Sequence, residues 1–160
     1  MDNLQAVRDF FKENGWEYGE QEGCFESGVT LNAEIEGAML QIDSNNGGIV
    51  VLSGLDYDIP EESFADVMEL CNMVNMLLPT GAMFLDPAER ILVCRLGQYY
   101  GEGNAEPNDV GEQVSFCLDI LEKAAGVIQG LTSGELEPME AADMILRPAE
   151  EEEEEEEEED

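Results

Sequence analysis

The hydrophobic repeat of this chain changes period several times, and that switching constrains the fold more than any other feature. Leu4, Val7 and Phe11 recur at helical spacing behind Asp2 and Gln5, a candidate capping box, and Asn14-Gly15 supplies a stop, so a helix is expected over 3–14. Strict alternation follows, with Val29, Leu31, Ala33 and Ile35 set against Thr30, Asn32, Glu34 and Glu36, the pattern of a strand with one wet face. Gly37 breaks that run, and Leu40 and Ile42 continue the two-residue period past Ala38. The stretch Ser44-Asn45-Asn46-Gly47-Gly48 then turns the chain into a third antiparallel strand over 49–55.

Helical spacing returns at Pro60, which suits the first turn of a helix, with Glu61 and Glu62 near its positive end. Phe64, Val67, Met68, Cys71, Val74, Asn75 and Leu78 make one stripe, and Pro79-Thr80-Gly81 ends it. Segments 82–85 and 90–96 read as a hairpin around Asp86-Pro87-Ala88-Glu89. An acidic, Gly-rich loop over 97–107 leads to a second candidate capping box, Asp109 with Glu112. The helix behind it carries Val114, Cys117, Leu118, Leu121, Ala125, Ile128 and Leu131 and is expected to finish near 130–134. A short amphipathic helix over 138–146 puts Met139, Ala142 and Ile145 on one face. The order α-β-β-β-α-β-β-α, joined mostly by short turns, predicts an α+β fold in which helices pack on a mainly antiparallel sheet.

Charge divides the chain. Its 160 residues hold 39 Asp and Glu against 6 Lys and Arg, for a net charge of −33, yet 43% of them are hydrophobic, enough for one packed core. Residues 150–160 supply 11 of the acids, which leaves net −22 on the rest. We therefore expect one domain over 1–147, with its core in about 3–131, and a disordered poly-Glu tail over 148–160. The tail reads as a solubilising bristle, an electrostatic lure for a basic partner, or a loose cation sink. The six cations are scattered singly, so no basic stripe can neutralise phosphates, and binding to nucleic acid or anionic lipid is not expected.

The absence of His removes the commonest general base and the usual zinc ligand. Cys24, Cys71, Cys94 and Cys117 each stand in an apolar segment with no CxxC pair, the pattern of reduced core thiols. The opening residues carry acids and no long apolar run, so neither a signal peptide nor a membrane span is expected, and a cytoplasmic location follows. Asp56, Asp58, Glu61 and Glu62 lack EF-hand spacing and read as a solvated face. No metal or cofactor site is expected.

The helix after Pro60 has apolar residues outside its main stripe. A single sheet covers one side of a helix. Its second side is closed by a loop or by the terminal helix, or else Leu70, Met73, Met76 and Leu77 form a homodimer or partner surface, in which flexible methionines adapt to varied contacts. Asn75 either hydrogen-bonds a neighbouring backbone at the edge of the core or contacts a ligand; the first is the expectation adopted.

The run IPEESFADVMELCNMVNMLLPTGAMFLDPAERILVCRL resembles the YbjN-domain family of small bacterial proteins. Pro60, Glu61, Asn72, Asn75, Gly81, Phe84, Leu85, Asp86 and Arg95 fall on its pattern, with Phe84 one residue nearer its Leu than in the usual spacing. The resemblance extends over about 3–131 through element order and over 59–96 through residues. It implies a type III secretion chaperone-like fold, whose members dimerise through the corresponding helix, and a non-enzymatic module that binds proteins as a regulator or chaperone-like protein. The partner would be basic or secreted. Two other readings stand beside it: a dedicated type III secretion chaperone for one effector, and a small enzyme using carboxylates or Cys94 without His.

Overall fold

The computed structural model describes residues 2–147; the poly-Glu segment expected to be disordered lies outside them. The chain opens with α1 (Asn3–Glu13), whose first turn is closed by Asp2, its carboxylate accepting the Gln5 N–H at 2.6 Å. Four strands follow: β1 (Gly19–Gln21), β2 (Cys24–Thr30), β3 (Gly37–Asn45) and β4 (Gly48–Leu55). A 3-10 turn at Glu61–Ser63 leads into α2 (Phe64–Leu77), then β5 (Ala82–Asp86) and β6 (Ile91–Tyr99) form a hairpin. The described chain ends with α3 (Pro107–Ala125), α4 (Ile128–Ser133) and α5 (Pro138–Leu146). The fold is α+β, with six antiparallel strands in the spatial order β1-β2-β3-β4-β6-β5.

Three details differ from the order expected from sequence. The alternating run 29–36 is not a strand: pairing ends at Thr30, and 31–36 bends into a loop closed by the Leu31 N–H on the Glu36 carbonyl at 2.7 Å. Leu31 and Ile35 are still buried while Asn32, Glu34 and Glu36 face water, so the alternation reported the side of burial and not the backbone. The missing strand is β1, joined to β2 by Glu22-Gly23, both at positive φ, the geometry of a tight two-residue hairpin turn. Finally, the long helix breaks at Gly126-Val127, where the Val127 N–H reaches back only three residues to Ala124, and α4 starts afresh.

The box that starts α3 also sits one turn earlier than expected. Glu106 is the cap, and the Asp109 carboxylate accepts the Glu106 N–H at 2.8 Å. Pro107 occupies the first turn, where its missing N–H costs nothing.

The five α-helices among the described residues pack on one side of the sheet. Inward residues Phe25, Leu40, Ile42, Ile49, Val51 and Leu96 meet Val7, Phe10 and Phe11 of α1 and Val110, Val114 and Cys117 of α3. At the other end of the sheet, Leu55, Met83 and Leu92 meet Val67, Leu70 and Val74 of α2, with Ala141 and Ile145 of α5 on the same cluster. Each fully buried Val, Leu, Ile, Phe or Met among them contributes about 1.5–3 kcal/mol.

Two polar anchors fix the helical layer. Gln113 of α3 is buried, and its Nε2 donates to the carbonyls of Ile49 at 3.0 Å and Leu96 at 3.2 Å, while its Oε1 accepts the Tyr100 hydroxyl at 2.7 Å. Asn3 donates to the Gly101 carbonyl at 2.8 Å and accepts the Ala105 N–H at 3.0 Å, pinning the Gly-rich loop to α1. Among the described residues no buried side-chain nitrogen or oxygen lacks a partner.

Candidate functional site

The four residues expected to form a partner surface on α2 do not share one environment. Leu70 is fully buried in the core and cannot contribute to a surface, which corrects that assignment. Met73 is half-buried against the same cluster, whereas Met76 and Leu77 are 74% and 71% exposed. The reason is α5, which packs along α2 and rotates the covered stripe toward Leu70. Met68, placed in the buried stripe by sequence, is correspondingly exposed. The terminal helix thus covers α2 on its Leu70 side and leaves Met76 and Leu77 uncovered.

A larger uncovered surface lies on the opposite side of the sheet. Among the described residues no helix covers it. Strand register aligns Gly28, Met39, Gly54, Val93 and Phe84 in one row across β2, β3, β4, β6 and β5. Met39 on the inner strand β3 is 52% exposed and Phe84 on the outer strand β5 36%. Gly54 deepens the row, because a Cβ there would stand 3.0 Å from Ile91 Cδ1. The result is a groove of about 490 Å³ with Leu52 and Ile91 on its walls and Glu26, Asp86 and Glu89 around it. Sequence reasoning missed it. Met39, Val93 and Phe84 lie on three different strands, and only register makes them neighbours.

Strand edges are less available than this face. β5 is an outer strand, but its Met83 N–H and carbonyl are both taken by the side chain of Asn75. β1 at the other edge is three residues long, and Glu20 within it is clamped by the Arg8 guanidinium, whose Nε lies 3.0 Å from both carboxylate oxygens. That hydrogen-bonded ion pair holds Glu20 below and Arg8 above their ordinary pKa values. Short, charged or capped edges disfavour strand addition.

The thiols offer no ready nucleophile. Cys94 on β6 and Cys117 on α3 share a hydrogen bond that lowers Cys94 and, with burial, pushes Cys117 up, but both side chains are fully buried and out of reach of a substrate. Burial raises Cys71 to about 12, and burial with a hydrogen bond to Asp43 raises Cys24 to about 11. Cys24 does line a groove with Glu20, Glu22 and Glu26, yet at neutral pH its sulfur carries a proton. No group of three or more potential metal ligands gathers among the described residues.

A family model for YbjN, described as "Putative bacterial sensory transduction regulator", matches residues 3–129. The chain belongs to the YbjN family. A crystal structure described as that of YbjN, "a putative transcription regulator from E. coli", is similar in fold, with a TM-score of 0.54 and 12% identity over 73% of this chain and 84% of that one. No curated protein sequence matches. Several residues behind the resemblance have architectural roles here: Asn75 docks α2 on β5, and the Asp86 Oδ1 accepts the N–H groups of Ala88 at 3.0 Å and Glu89 at 3.2 Å, closing the β5–β6 turn. No helix among the described residues is long and apolar enough to cross a membrane.

Proposed function

We propose that this YbjN-family chain is a non-enzymatic, cytoplasmic protein-binding module, a regulator or chaperone-like protein, that seats its partner on the uncovered face of the sheet. The observation carrying this reading is the aligned row of Met39, Val93 and Phe84, apolar throughout and open to solvent at Met39 and Phe84, beside three carboxylates. An apolar segment with cationic flanks complements it, consistent with a basic or secreted partner. Since the edges are capped or charged, contact is made by side chains on the face and not by an added strand.

The test is capture of partners from bacterial extract by the wild-type chain and by M39E/F84E, with circular dichroism to check that both are folded. A partner retained by the wild type and lost by the variant supports the reading. Equal capture by both removes it. If the captured partner is one secreted protein, the module is a dedicated secretion chaperone; a resident protein makes it a regulator.

Homodimerisation is proposed on the narrower α2 set of Met73, Met76 and Leu77, because two of the three are largely exposed apolar side chains on one helical turn. Light scattering on the wild type and on M76E/L77E checks it. A monomeric wild type, or a variant that stays dimeric, removes the dimer.

A further inference from the structure

The helical side of the molecule carries a second groove, larger than the first. It holds about 940 Å³ between the C-terminal end of α1, the outer side of α3, and the end of β2 with its following loop. Trp16, Val29 and Leu118, partly exposed, make its apolar lining above the buried Phe10, Leu31 and Val114. Along α3, Asn108, Glu112, Ser115, Asp119 and Glu122 line it at three- and four-residue spacing, which sets them on one side of that helix. Glu13 joins them from α1, and no lining residue is Lys or Arg. The Glu122 carboxylate also accepts the Asn32 N–H at 2.8 Å, which ties this rim to the loop after β2.

We propose that this groove receives a basic amphipathic helix of a protein partner. An apolar floor calls for an apolar stripe, and carboxylates at Glu13, Glu112 and Asp119 call for Lys or Arg beside that stripe. The α3 segment from Asn108 to Glu122 is roughly 21 Å long at 1.5 Å per residue, the length of about four turns of a docked helix. The chain's own last residues do not fit, since 150–160 are all acidic and the rim would repel them. A net charge of −33 also draws a cationic segment in from a distance and speeds encounter. The proposal rests on the reading of the chain as a protein-binding module, but its groove lies across the sheet from Met39 and Phe84.

Trp16 is the chain's one tryptophan and lines the groove, so its emission reports occupancy directly. The experiment titrates the full chain with a Trp-free, 14-residue Leu/Lys amphipathic helix, with its Leu/Glu counterpart, and with a 14-residue polylysine. The Leu/Lys peptide is expected to shift Trp16 emission to the blue and to bind at least tenfold more tightly than polylysine, and the Leu/Glu peptide to leave emission unchanged. Affinity should fall at least tenfold between 50 and 500 mM NaCl and at least tenfold in E13Q/E112Q/D119N. S115R, at an exposed position on the same side of α3, should abolish the shift without unfolding the chain. M39E/F84E should bind the peptide normally, so loss of the sheet-face reading would leave this one standing. Polylysine binding as well as Leu/Lys, saturable binding with no Trp16 shift, or unchanged affinity in the triple variant and S115R would each overturn it.

Discussion

The side-chain amide of Asn75 pairs with the backbone of Met83 as a neighbouring strand would: Nδ2 donates to the Met83 carbonyl at 2.9 Å, and the Met83 N–H donates to Oδ1 at 2.8 Å. Asn is a poor residue for a helix interior, and here it occupies the two backbone groups that an outer strand leaves open. N75A is expected to cost about 1–3 kcal/mol, because both partners lose a hydrogen bond at a partly buried site. N72A, one turn away and exposed, should stay within about 0.5 kcal/mol of wild type. Urea unfolding of the two variants measures the difference; equal midpoints would show that the Asn75 pairing contributes nothing.

Gly81 bears a different constraint. Its φ is +71°, and a Cβ there would lie 2.8 Å from Phe116 Cε1 and 2.9 Å from the Arg95 carbonyl oxygen. A ring can yield, but the carbonyl belongs to β6 and cannot move without disturbing the sheet. Gly15 has a similar φ of +66° with open space around it, so G15A bears only the left-handed backbone penalty, about 1–2 kcal/mol. G81A should exceed G15A by at least about 1 kcal/mol in the same unfolding assay.

These two residues also show what can be read from the chain alone. Helix positions, the antiparallel sheet and the docking of Asn75 on a neighbouring backbone follow from periodicity and from one polar residue in an apolar stripe. The rotation of α2 does not, because it depends on α5 arriving from sixty residues away to cover Leu70 and leave Met68 exposed. β1 carries no apolar alternation, all three of its residues being exposed, so only the Glu22-Gly23 turn signals it. In β2 the inward Ser27 interrupts the hydrophobic pattern, and its hydroxyl is satisfied by the Glu17 carbonyl at 2.8 Å. Both grooves are products of register and helix placement. Gly28, Met39, Gly54, Val93 and Phe84 come from five strands, and nothing local marks them as a row.

Alkaline pH should destabilise the protein through its buried thiols. Cys71 is raised by burial from 9.0 to about 12, and Cys117 is raised by its hydrogen bond to Cys94 and by burial. Above pH 9 the unfolded chain releases these protons while the folded chain keeps them, so the folded state binds more protons and stability falls as pH rises. The contribution is fully present below pH 9 and, for Cys71, is lost progressively up to about pH 12. Cys71 adds about 1.4 kcal/mol per pH unit to the slope and Cys117 adds in the same direction, whereas Cys94, lowered by its hydrogen bond with Cys117, adds nothing to the fall above pH 9. Tyr100, raised to about 12 mainly by burial, adds a smaller, solvent-screened share above pH 10. Urea unfolding at pH 8, 9, 10 and 10.5 should therefore be level at first and then fall steeply, and C71A should flatten the fall by about 1.4 kcal/mol per pH unit. A level profile to pH 10.5, or an unchanged slope in C71A, would show that these thiols ionise as readily in the folded core as in the unfolded chain.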